Sequence, residues 1–255
     1  MSVRRQPALF IGHGNPMHAI TDNPYRRAWA ALGEALPRPR AILCVSAHWE
    51  TSRSAVCTLD PPPTIHDFGG FPPALYAQRY AAPGAPALAR AAQALVGESR
   101  LQLTASWGLD HGAWCVLSAL YPHADVPVVQ LSLGRELTPA AHLQLARDLR
   151  ALREDGVLLL ASGNIVHNLG RLSPGHTPDW ALAFDRAVAE ALLRGDDEAL
   201  CQYAQWPGAA LSVPTPEHYL PLLYLAGMRH ADDTLQMLTT DFDLGSLSMR
   251  SVRLG

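Results

Sequence analysis

The chain has 255 residues, 48% of them hydrophobic and 17% charged, with a net charge of −3. That balance belongs to a folded domain with a sizeable core rather than to a disordered chain, and it leaves no basis for holding nucleic acid by phosphate neutralisation. All 20 basic side chains are arginine, which excludes Schiff-base chemistry, a lysine general base and the lysine of a phosphate-binding loop.

The first apolar run, residues 8–11, has the length of a buried strand and is too short for the apolar region of a signal peptide. No later run approaches the ~18 apolar residues of a membrane span, so the chain is expected to be soluble and cytoplasmic, with no membrane partner. Asn23-Pro24 reads as an N-cap with proline at the first helical position and opens a helix to about Leu36. A second buried strand follows at 41–47. The triple proline at 61–63 then begins the longest stretch without periodicity, which runs to Pro73 and contains Asp67-Phe68-Gly69-Gly70-Phe71. Long ordered loops in compact domains are usually lids or binding loops. This one is expected to wall and close a pocket, with Phe68 facing the ligand.

Helices are predicted at about 86–97 and 112–121, and strands at 126–133 and 157–161. Between those strands Thr138-Pro139 repeats the N-cap signature, opening a helix with Leu143, Ala146, Leu149 and Leu152 on one face. Further helices are predicted at 178–193 and 215–228. Residues 235–240 and 246–254 alternate and flank the turn Asp243-Leu244-Gly245, as an antiparallel pair closing a sheet edge would. Strands alternating with helices predict an α/β fold: one domain over residues 1–255, a mostly parallel central sheet flanked by helices, and an antiparallel pair at the C-terminus. Cys44, Cys57, Cys115 and Cys201 are too widely spaced for a zinc knuckle or a redox pair.

Five of the 11 histidines sit in glycine- or proline-marked turns at the ends of apolar runs. They are His13 in Gly12-His13-Gly14, His48 after Ser46-Ala47, His111 between Asp110 and Gly112, His167 after Ser162-Gly163-Asn164, and His218 behind Pro214-Thr215-Pro216-Glu217. One histidine beside an apolar run is ordinarily a packed core residue, but five in the same setting point to a metal site. His13, His48 and His167 follow predicted strands, at the strand ends where α/β sheets bind ligands. His218 is expected to open a helix, and so is His111. His66 either faces substrate or bonds its own backbone. His18, His123, His142, His176 and His230 lie in polar or amphipathic contexts and are assigned no role.

The segments Gly12–Met17, Ser46–Trp49, Thr64–Pro72, Asp110–Gly112, Ser162–Asn168 and Thr215–Pro221 together resemble the class III extradiol catechol dioxygenases, in their single-chain DODA-type branch (4,5-DOPA dioxygenase extradiol). The resemblance runs from about residue 8 to Met249. It implies one divalent non-haem metal ion, Fe(II) for activity or Zn(II) as isolated, and a small-molecule catechol and O₂ as substrates. It carries metal ligation onto His13 and His48 and a third ligand onto the Glu217-His218 pair, with His218 preferred. His167 corresponds to an active-site histidine, either a fourth ligand or an acid–base group. His111 corresponds to a second pocket histidine that orients substrate, with Asp110 expected to fix its tautomer. His66 and Phe68 are expected to contact the substrate, whose side chain an arginine or a loop residue would recognise. Two other readings of the same histidines remain. A zinc hydrolase would activate water at the open site. A non-catalytic binding protein, such as the mediator-of-cell-motility family, would share the fold but have no need of convergent imidazoles.

Overall fold

The structure is a computed structural model that describes residues 5–255. Strand β1 (Ala8–Gly12) leads to helix α1 (Pro24–Ala35), whose Asn23 side chain caps the Arg26 amide at 2.8 Å. Strand β2 (Ala41–Thr51) is followed by β3 (Ala55–Cys57), a short helix α2 (Pro73–Tyr76), α3 (Pro86–Val96) and β4 (Gln102–Thr104). Next come α4 (His111–Leu120), β5 (Val128–Gly134), α5 (Pro139–Leu149), β6 (Val157–Gly163) and α6 (Asp179–Arg194). The short helices α7 (Asp197–Cys201) and α8 (Ala209–Ser212) precede α9 (Pro221–Gly227). Strands β7 (Leu235–Thr239), β8 (Phe242–Asp243), β9 (Leu247–Ser248) and β10 (Ser251–Leu254) complete the chain.

The eight strands of the main sheet lie in the order β4-β3-β5-β2-β6-β1-β10-β7. Its centre, β5-β2-β6-β1, is parallel throughout, and β10 runs antiparallel to both β1 and β7. The expected α/β architecture is present, and so is the antiparallel C-terminal edge. The turn in that edge carries a second, two-stranded sheet, β8-β9, which the alternation pattern did not separate from its neighbours.

Period-two alternation along the central strands divides the core. Ala8, Phe10, Leu43 and Val45 face one layer with α3, α5, α6 and α9, while Leu9, Ile11, Ile42 and Cys44 face the other with α1 and α4. Helices on both faces leave the strands buried on both sides, which is why they read as continuous apolar runs.

Three sequence expectations need correction. Strand β2 does not stop at Ala47. It continues to Thr51 across a register shift between Val45 and Glu50, so His48 sits in a strand irregularity and not beyond the strand's end. Helix α9 starts at Pro221, so His218 belongs to the turn before it. Strands β3 and β4 were not foreseen, being only three residues each. Among the described residues, no helix is long and apolar enough to cross a membrane.

Candidate active site

The carboxyl ends of β1 and β6 and the irregularity in β2 open on one cavity of about 780 Å³. Its wall carries His13, His48, His111, His167 and His218 together with Phe68. His13 follows β1 directly, and its amide bonds the Gly163 carbonyl of β6 at 3.1 Å. Gly14 takes φ +57°, a conformation that favours glycine, and lets the chain turn away from the imidazole. His111 is the first residue of α4. His218 is tied to the end of β6, where its carbonyl accepts from the Asn164 amide at 2.8 Å.

One nitrogen from each of His13, His48 and His218 lies within 4.8 Å of the other two. Hydrogen bonds on the far side of two of the rings say which of their nitrogens face inward. Ser162 Oγ donates to the Gly112 carbonyl at 2.5 Å, so its contact with His13 Nδ1 at 3.0 Å is one in which the ring donates. His48 Nδ1 lies 3.4 Å from Asp67 Oδ2, and His218 Nδ1 lies 3.1 Å from Glu217 Oε1. His13 and His218 therefore carry the proton on Nδ1 and turn an Nε2 lone pair inward, while His48, its Nδ1 near the Asp67 carboxylate without a hydrogen bond to it, directs Nε2 toward His13.

His13 Nε2 and His48 Nε2 lie 3.0 Å apart, and His218 Nε2 is buried with no hydrogen-bond partner among the described residues. A buried acceptor without a donor is costly, and three imidazole nitrogens gathered at one point fit a cation. Burial, and then the neighbouring imidazoles, push all three residues well below the usual histidine range, so they are neutral and able to ligate at pH 7. Three imidazoles suit zinc or non-haem iron.

His167 stands outside that group of three. Its ring stacks on His218 with centroids 3.5 Å apart, and burial lowers it to about 4. His111 packs edge-on against Phe68, with ring centroids 5.5 Å apart. The carboxylate on its Nδ1 is Asp67 Oδ2 at 2.8 Å, not Asp110. Asp110 is wholly buried and occupied elsewhere: it accepts from Ser46 Oγ at 2.7 Å, from the Gln130 side chain, and from the Ala113 amide at 3.1 Å as the cap of α4. Burial, and then the charge of Asp67, raise its carboxyl above the usual range. Burial also acts to raise Asp67, but its bond to the His111 side chain and the nearby imidazoles outweigh that effect and leave it lowered.

His66 does not line the cavity; its Nε2 lies 3.1 Å from the Gln78 carbonyl, so of its two expectations the backbone bond is the one present. Phe68 does line it, and is half-buried between Phe71 and Tyr76 at centroid distances of 5.3 and 5.2 Å. Among the described residues no arginine lines the wall; the loop residues Asp67, Phe68 and Phe71 are there instead. The stem of the 61–73 loop is fastened by Ile65 N–H to Leu109 O at 2.7 Å and by Trp114 Nε1 to Ile65 O at 2.9 Å. Gly69 and Gly70 form its exposed tip. His18, His123, His142, His176 and His230 lie away from the cavity wall.

Residues 7–247 match the family of the catalytic LigB subunit of aromatic ring-opening dioxygenase. A protein of Escherichia coli (strain K12) named 4,5-DOPA dioxygenase extradiol is 47% identical, over 100% of this chain and 97% of its own length. A Beta vulgaris protein of the same name is 38% identical, over 96% of this chain and 95% of its own. The chain belongs to the extradiol ring-cleaving dioxygenases. The crystal structure of an uncharacterized Escherichia coli K12 protein superposes on this dioxygenase with a TM-score of 0.86 at 41% identity, covering 98% of this chain and 100% of the other.

Sequence reasoning on this dioxygenase missed the supports behind the histidines. Ser162 and Asn164 both lie in the Ser162–Asn168 motif, and both are buried. Asn164 Nδ2 donates to the Ser248 carbonyl at 2.8 Å and its Oδ1 accepts from the Gly14 amide at 3.4 Å, joining the β1 turn to the C-terminal hairpin. Small polar residues inside an otherwise apolar strand end were the available signal.

Proposed function

We propose that this protein is a metal-dependent extradiol dioxygenase that opens the aromatic ring of a catechol, DOPA-like in class, with O₂. The observation that carries the reading is the convergence of three neutral imidazoles on one point, beside two further histidines on the same cavity wall. His13, His48 and His218 would hold the divalent ion. Once bound, it supplies an electrophilic centre with open positions, at which a catecholate and O₂ are brought together.

The chain's own groups do the rest. His167, neutral at pH 7, has a lone pair with which to take a proton from a substrate hydroxyl and return it later. His111, held by Asp67 on its Nδ1 side, presents Nε2 to the cavity and orients the second oxygen of the substrate. Phe68, Leu244 and Leu247 give the ring an apolar wall and exclude water from the reacting face.

Anaerobic reconstitution with Fe(II), addition of a panel of catechols and then admission of oxygen tests the proposal. Oxygen uptake with a yellow ring-opened product is the expected result. Zinc-dependent hydrolysis without oxygen uptake, or binding of catechols without turnover, would overturn it.

A further inference from the structure

We propose that Asp67 is a positioning residue: it fixes the tautomer of His111 and so aims the Nε2 lone pair of that imidazole into the cavity, while the same carboxylate steadies His48. Asp67 uses both oxygens on one residue. Oδ1 accepts from the His111 backbone amide at 2.9 Å, and Oδ2 accepts from His111 Nδ1 at 2.8 Å. The first bond ties the loop to the first residue of α4, and the second sets the rotation of the ring and the place of its proton. Oδ2 also lies 3.4 Å from His48 Nδ1, the ring whose Nε2 belongs to the convergent group. The rings of His48 and His111 are in contact, with centroids 3.8 Å apart. One carboxylate thus sits behind a proposed ligand and a proposed substrate-orienting group at once, an arrangement that fixes ligand orientation in metal sites generally.

Fastening the loop does not explain Asp67. The stem is already held by Ile65 N–H on Leu109 O at 2.7 Å and by Trp114 Nε1 on Ile65 O at 2.9 Å. The sequence neighbour Asp110 cannot substitute, because its oxygens are taken by Ser46, Gln130 and Ala113.

Asp67→Asn makes the role visible. The His111 backbone N–H can only donate, so the single oxygen of the amide must stay on it, and the NH₂ group is left facing His111 Nδ1. That nitrogen must then accept, and the ring proton moves to Nε2. Long-range ¹H–¹⁵N correlation spectra of the ¹⁵N-histidine-labelled full chain at alkaline pH read this directly. The His111 signal is assigned by its loss in His111→Ala. Wild type is expected as the Nδ1–H tautomer and Asp67→Asn as Nε2–H, with Asp67→Glu restoring Nδ1–H. In parallel, kcat/KM for catechol should fall about 10–100-fold in Asp67→Asn, mostly through kcat, with partial recovery in Asp67→Glu.

The kinetic arm rests on the dioxygenase reading, whereas the tautomer arm does not. A tautomer switch in a protein inactive as wild type would sink that reading and leave the positioning role standing. An unchanged Nδ1–H tautomer in Asp67→Asn, whether or not its Tm falls, makes Asp67 a loop fastener and overturns the proposal. If Asp67→Asn does not fold, Asp67→Glu decides alone, and wild-type catalysis without the Nδ1–H tautomer overturns it.

Discussion

The imidazoles of His167 and His218 lie parallel, their centroids 3.5 Å apart and their planes inclined by only 3°. Stacking places His167 beside a proposed ligand and outside the convergent group of three. His167→Ala should therefore lower kcat by roughly 10²–10⁴, the scale of positioned proton transfer, while metal affinity stays within about tenfold of wild type. Metal content by elemental analysis beside steady-state kinetics decides it. Loss of the metal in this variant would make His167 a fourth ligand.

The close approach of β6 to the turn before α9 gives a second test. A Cβ on Gly163 would lie 2.2 Å from the His218 carbonyl oxygen, a backbone atom that must move to admit it. Gly163→Ala should displace His218, weaken metal binding at least tenfold and lower Tm, although it removes no donor atom. Unchanged metal affinity would show that His218 is not held where ligation needs it.

Acid should destabilise the metal-free protein. His167 is lowered to about 4, and His13, His48 and His218 are lowered in the same direction by burial. Between the unfolded value near 6.5 and the folded one, the unfolded chain binds more protons, so stability falls as pH falls through that window. The slope approaches about 1.4 kcal/mol per pH unit for each such group. Melting curves from pH 7.5 to 5 should show falling Tm, with a shallower slope in His167→Ala. An identical slope in that variant would contradict the shift assigned to it.

Phe68 lines the cavity and also packs against Phe71 and Tyr76. Phe68→Ala should raise KM for catechols roughly two- to tenfold, the worth of one lost aromatic contact at ~0.5–1.5 kcal/mol, with a Tm loss of a few degrees. Normal KM with a large Tm loss would make the residue structural only.

The fold and the five histidines were legible for physical reasons, and so were the misses. Strands buried on both faces read as apolar runs, and proline or asparagine at helix starts marked α1 and α5. His13 stood out because its Gly12 and Gly14 neighbours admit a sharp turn. His48 was placed beyond its strand because nothing local announces the register shift in β2. Asp110 was taken as the partner of His111 because it precedes it in the chain. The true partner, Asp67, lies 44 residues away and reaches it only through tertiary folding. The unseen β3 and β4 were missed because a three-residue strand carries no period, and of the two readings open for His66 only the folded chain, which brings the Gln78 carbonyl to its ring, selects the backbone bond.

The central claim is that one divalent ion sits at the Nε2 atoms of His13, His48 and His218. A crystal of the zinc-loaded protein, with an anomalous difference map collected across the zinc edge, tests it most directly. The account predicts a single strong peak per chain at about 2.0–2.2 Å from all three Nε2 atoms. A peak on any other donor set, or none at saturating zinc, would contradict it.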